Sequence, residues 1–229
     1  MIVLTLALLL LSACATETVK PVELTSTLLM PEVQHKLPVS IAIYYFPGFV
    51  NQQERRALPV IEHIVPFTLE ERWGPSWVGD VPLGAASVQL FDQAARLAFQ
   101  QVTSVGGRPP LGEKFSIDGV IEPRIDAFEM QHSAIIGWEK LRLGEWSGEW
   151  GYPATARIRY RFDVYDRSGT LITSWIVIGD AAMLMFPKYG SDSVAILVDA
   201  ALQDAMRQFV QGFSRLPEVV QWLSTKKSQ

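Results

Sequence analysis

One side chain in this chain of 229 residues carries a soft nucleophile, Cys14, and no second cysteine exists to meet it. A lone thiol forms neither an intrachain disulfide nor a multi-thiolate metal site. It can still be acylated, and its neighbours suit that chemistry. Residues 2–11 are an apolar run broken only by Thr5, and Ser12 and Ala13 place small side chains just before the sulfur. The other reactive types are scattered. His35, His63 and His132 each lack a ligand-type neighbour at i+2 or i+4, so no histidine metal site is expected. A serine elbow of the form Gly-x-Ser-x-Gly is absent. Glu145 and Glu149 lie among Gly144, Gly148 and Gly151, which supply no rigid frame for acid–base work. Gly106-Gly107 follows a helical pattern, where a phosphate loop would precede one. No catalytic residue, metal or cofactor is expected.

Two surfaces could bind. The first is Trp138, Trp146, Trp150 and Tyr152, set with Leu141 and Leu143 between two strands. Indole and phenol rings suit interfaces that are apolar on one side and wet on the other; they could equally close over the sheet as a lid on the core. The second is Arg157, Arg159 and Arg161, three like charges at period two, followed by Asp163. Such a row could meet an acidic partner or phosphates, or be neutralised by Asp118, Glu122 or Asp126 on a neighbouring strand.

The elements that would position these residues follow from periodicity. Residues 39–46 alternate as a strand that Pro47-Gly48 stops. Residues 49–83 contain Pro59, Pro66, Pro75 and Pro82 and read as a long excursion that includes no long helix. Residues 84–105 read as an amphipathic helix through Leu90, Phe91, Ala94, Leu97, Ala98 and Val102. Residues 115–130 form a strand with Ile121, Ile125 and Ala127 on one face, and Pro123 within it demands an edge or a bulge. Residues 156–166 alternate most clearly, with Ile158, Tyr160, Phe162 and Val164 opposite the arginines. Asp166-Arg167-Ser168-Gly169 turns the chain into a partner strand over 170–179. Residues 191–213 form a second amphipathic helix, and Pro217 opens a short third one.

The fold class is therefore α+β: a four-stranded, mostly antiparallel sheet in the order β-α-β-β-β-α, with two helices on one face and the arginine row outward. Apolar residues at 48% and seven Trp exclude a disordered chain. A formal charge of −4 without a basic block argues against nucleic acid and anionic lipid surfaces as partners.

Leu11-Ser12-Ala13-Cys14 resembles a bacterial lipobox. The apolar start is about 12 to 14 residues against the roughly 20 that span a bilayer, which fits a cleaved leader over residues 1–13. The resemblance implies cleavage before Cys14 and lipidation of that residue. Ala15 stands where enterobacterial lipoproteins retained in the inner membrane carry Asp, which implies the outer membrane, periplasmic face. Residues 14–37, with Pro21 and Pro31, are then a flexible tether, and 38–229 a single periplasmic domain.

With the strand Ile117-Asp-Gly-Val-Ile-Glu-Pro-Arg-Ile125, the hairpin at Tyr165-Asp-Arg-Ser-Gly169 and Trp175, the architecture resembles small outer-membrane lipoproteins of the lipopolysaccharide-assembly, curli-secretion and penicillin-binding-protein-activator groups. That resemblance implies a non-enzymatic subunit or accessory of an envelope assembly or export machine, joined to the membrane by lipid and to a protein partner. The alternative is a lipoprotein that binds lipid, lipopolysaccharide or glycan.

Overall fold

The computed structural model describes residues 19–30, 35–58, 77–107, 117–132, 152–185 and 190–226. In chain order the elements are β1 (Val19–Pro21), β2 (Leu37–Tyr44), α1 (Pro47–Val50), β3 (Glu54–Leu58), β4 (Trp77–Val81), α2 (Leu83–Ala98), β5 (Phe99–Val105), β6 (Gly119–His132), β7 (Tyr152–Asp166), β8 (Leu171–Met185), α3 (Gly190–Gly212) and α4 (Pro217–Lys226), with a 3-10 turn at Phe213–Arg215. The mixture of helix and sheet agrees with the expected class. The main sheet has five strands in the order β5-β2-β6-β7-β8, and β1-β4-β3 form a separate three-stranded sheet.

The fifth strand comes from the end of the expected helix. α2 stops at Ala98, and Phe99 turns extended at φ −120 and ψ 153. The chain from Phe99 then runs parallel to β2, with Ile41 opposite Val102 and Tyr44 opposite Val105. Val102-Thr103-Ser104-Val105 is poor in helix formers and rich in branched side chains. Its backbone groups find partners along β2. Because β2 also pairs parallel with β6, the sheet is mixed, and only β6, β7 and β8 make the antiparallel meander.

β6 departs from simple alternation. The register shifts between Ile125 and Ala127, so Ile125 faces Tyr160 while Ala127 faces Arg159. One extra residue reverses which side the following side chains take. Ala127 is therefore on the outer face, contrary to the expected pattern, and Phe128 turns inward at 6% exposure. Pro123 sits two residues past Ile121, the last residue of β6 that pairs with β2. At Pro123 that side of β6 is an edge, which accommodates the missing donor.

β7 holds Ala154, Ala156, Ile158, Tyr160, Phe162 and Val164 in the core. The turn after it is tied by Asp166 Oδ1, which accepts the Ser168 and Thr170 amides at 2.8 Å each and the Ser168 hydroxyl at 2.6 Å. Gly169 takes φ 82, which only glycine adopts at little cost. Burial disfavours the Asp166 anion, but these donors outweigh it and hold the carboxyl below its usual range. β8 runs to Met185, six residues beyond the expected end, because its alternation continues past Gly179 against residues 152–157 of β7.

Both long helices lie on the inner face. α2 buries Leu90, Phe91, Ala94 and Ala98, and α3 buries Leu197, Val198, Ala201, Leu202, Ala205 and Phe209. Phe209 joins the layers: its ring centroid lies 4.9 Å from Phe91 of α2, 4.8 Å from Phe162 of β7 and 5.9 Å from Trp175 of β8. Inside this core the Ser87 and Tyr160 hydroxyls are bonded to each other at 2.5 Å. Burial pushes the Tyr160 phenol well above its ordinary range, so it stays neutral.

α4 closes the end of the sheet. Trp222 is 9% exposed, and its ring lies against Gly119 at the start of β6. Lys226 of the last turn pairs with Asp118, whose other oxygen accepts the Ser40 amide at 2.8 Å. Asp118 thereby ties α4 to β2.

Of the stretch expected to be a flexible tether, residues 19–30 are fastened to the body. β1 pairs with β4, Val22 is buried at 1% exposure, and the segment after it bonds to α2 and α3. Its alternation of Val22, Leu24, Leu28 and Met30 inward with Glu23, Thr25, Thr27 and Leu29 outward is that of an extended strand.

Candidate functional site on the outer sheet face

The face of β6, β7 and β8 opposite the helices gathers the arginine row. Register sets Arg157 between Glu129 and Asp180, Arg159 between Ala127 and Ile178, and Arg161 between Arg124 and Ile176. The three arginines have different surroundings. Arg157 bonds Asp180 at 2.6 Å and Arg161 bonds Asp126 at 2.9 Å. Among the described residues Arg159 has no ion pair, because its cross-strand neighbours on both sides are aliphatic. Arg124 lies 3.6 Å from both Glu122 and Asp163, and Ser174 donates to Asp163 at 2.6 Å.

Of the three carboxylates expected to neutralise the row, Asp126 does so. Glu122 pairs with Arg124, and Asp118 serves the α4 tie instead. Exposed pairs of this kind each contribute little to stability. They do set opposite charges side by side across this face.

Sequence reasoning missed the apolar part of this face. Ile176 and Ile178 are 42% and 38% exposed, and Leu184 further along β8 is 54% exposed. They occupy the outward positions of an edge strand, beside Arg161 and Arg159 for the two isoleucines. The hairpin register shifts between Val164 and Tyr165, and only that shift sets Ile176 and Ile178 across from the arginines. Carried unbroken from the Tyr165–Leu171 pair, the register would have put Trp175 and Val177 there, so the turn alone does not reveal them. Next to them a shallow open depression of about 440 Å³ is lined by Glu129, Gln131, Thr155, Arg157 and Asp180. Ala181 and Ala182 of β8 complete its lining.

Cys14, Trp138, Trp146 and Trp150 lie outside the described residues. Tyr152 is the first residue of β7, and its backbone pairs with Met185. Among the described residues no group of three or more His, Cys, Asp or Glu side chains could hold a metal ion. No helix among them is long and apolar enough to cross a membrane.

No family model matches the chain, and no curated protein matches it. A solved structure from Helicobacter pylori, described as a homolog of neuraminyllactose-binding hemagglutinin, is similar at 10% identity and a TM-score of 0.38, covering 88% of this chain and 100% of that one. A likeness this distant transfers neither fold detail nor ligand.

Proposed function

We propose that this chain is a non-enzymatic lipoprotein, anchored at Cys14 to the periplasmic face of the outer membrane, that serves as a subunit or accessory of an envelope assembly or export machine. The observation that carries the docking role is the outer sheet face. Ile176 and Ile178 stand exposed there beside Arg159, which has no ion pair among the described residues. Scattered apolar side chains are normal on a surface. Here they are adjacent on an edge strand and flanked by charged side chains, which is the make-up of an interface centre with a polar rim. The lipobox supports the anchor, and a lipid-held body needs only a surface, not an active site, to recruit a partner.

A second reading, a glycan or lipopolysaccharide binder, draws support from the open depression beside Arg157. One experiment addresses both. Purified from solubilised envelopes, the chain is expected to bring down a stoichiometric protein partner. That partner should be lost with Ile178→Asp or Arg159→Glu and kept with Val220→Asp, a change at an exposed site on α4. A chain recovered alone by native mass spectrometry would remove the first reading, and a bound glycan or lipid in its place would establish the second.

A further inference from the structure

The polar side of α3 repeats a short pattern, Asp199-Ala-Ala-Leu-Gln203 followed at once by Asp204-Ala-Met-Arg-Gln208. In the first copy Asp199 accepts the Thr25 amide at 2.7 Å. Gln203 donates to the Thr27 carbonyl at 2.6 Å and accepts the Leu29 amide at 2.9 Å. In the second copy Asp204 accepts the Asp180 amide at 3.2 Å and Gln208 donates to the Ile178 carbonyl at 2.8 Å. Five residues carry a helix about 140° past a full turn, so the two copies face different ways. One grips the free edge of β8 and the other grips residues 25–29.

α2 completes the first grip. Gln93 donates to the Ser26 carbonyl at 2.7 Å and accepts the Leu28 amide at 3.0 Å. Residues 25, 27 and 29 thus bond to α3 and residues 26 and 28 to α2, as the alternating backbone of an extended segment requires. Every one of these bonds reads main chain, not side chain.

The two grips differ in what else holds their target. β8 is paired with β7 along its whole length, so the second grip only shields an edge. Among the described residues no strand pairs with residues 23–30, and β1 before them is itself an edge strand. The segment rests on bonds to helix side chains and on Val22, with Leu24, Leu28 and Met30 only partly buried. Each such bond is modest in net terms, and the ordering cost of the backbone they fix is of comparable size. That balance puts the segment among the parts of the molecule that open first.

We propose that residues 19–30 are a releasable strap, held at its start by the pairing of β1 with β4 and beyond it by a main-chain clamp of Gln93, Asp199 and Gln203, that opens while the body stays folded. Only its consequence rests on the lipid-anchor reading. With the strap docked the body is held close to Cys14, and release adds residues 19–30 to the tether, roughly 40 Å of extended chain.

Hydrogen exchange of the full chain, resolved at Thr25, Leu28 and Leu29 and followed over a low urea series, tests the strap itself whether or not Cys14 carries lipid. The strap amides are expected to be protected, and to exchange through an opening with a small urea dependence, in keeping with the limited surface that the strap covers, well before Val198 and Leu202 of α3. Gln93→Ala with Gln203→Ala should lower strap protection by about tenfold or more and leave α3 unchanged, while Gln208→Ala should leave the strap unchanged. Unprotected strap amides, strap amides that exchange in step with α3, or a double variant that weakens α3 equally would each overturn the proposal.

Discussion

Replacing Gly179 by valine is expected to destabilise the fold by about 3 kcal/mol or more. Gly179 points inward from β8, opposite Ile158 of β7, at the point where α3 crosses the sheet. A Cβ there would fall 2.8 Å from the Ala205 Cβ and its amide nitrogen, and it would meet the Ala201 carbonyl oxygen still more closely. Those atoms belong to helix backbone or to its first side-chain carbon, so no flexible tip can swing aside. Glycine inside a strand normally weakens it. Here it lets the helix approach, and Ala201 and Ala205 are small for the same reason. Urea midpoints would show the effect, with Gly106→Ala as the control, since a Cβ at Gly106 meets nothing within 4 Å. A Gly179→Val midpoint equal to the parent would mean that α3 does not cross there.

Phe209→Ala should cost about 3–5 kcal/mol, the range for emptying a large, fully buried aromatic site. The ring is 0% exposed and touches α2, β5, β7 and β8 through Phe91, Phe99, Phe162 and Trp175. These neighbours belong to different elements, so collapse into the space would require several backbones to shift together. The measurement is thermal unfolding against Val220→Ala, whose side chain is half exposed and whose loss should change stability by no more than about 0.5 kcal/mol. A small loss at Phe209 would show that the layers are not held through that ring.

The parts of the fold legible in the sequence are those where burial imposes a period. β7 alternates because one face is covered by helices and the other is wet, and α3 repeats Leu197, Val198, Ala201, Leu202, Ala205 and Phe209 at helical spacing for the same reason. β5 was hidden because Gln100 and Gln101 continue the polar side of α2 and Val102 falls on its apolar stripe. Only pairing with β2, a contact distant in sequence, makes extended backbone the better choice there. The bulge at residue 126 was hidden because alternation cannot show an inserted residue. The strap was hidden because proline and polar residues read as linker, while its holders, Gln93, Asp199 and Gln203, read as a solvated helix face.

The candidate site divides in the same way. The outward position of Arg157, Arg159 and Arg161 followed from the strand period alone. Which of them stays without an ion pair depends on neighbours in β6 and β8, and those depend on the bulge and on the hairpin register. The exposure of Ile176 and Ile178 has the same origin. An isoleucine in a strand signals burial by itself, and only the position of β8 at the edge, with α3 on its other face, leaves these two outside.

The proposed function joins this face to a membrane through one residue, Cys14, and that link is open to direct measurement. Peptide mass analysis of the chain recovered from the envelope should find an amino-terminal peptide that begins at Cys14 and carries the added mass of acyl chains. A peptide that still contains the residues before Cys14, or a Cys14 with a free thiol, would contradict the account.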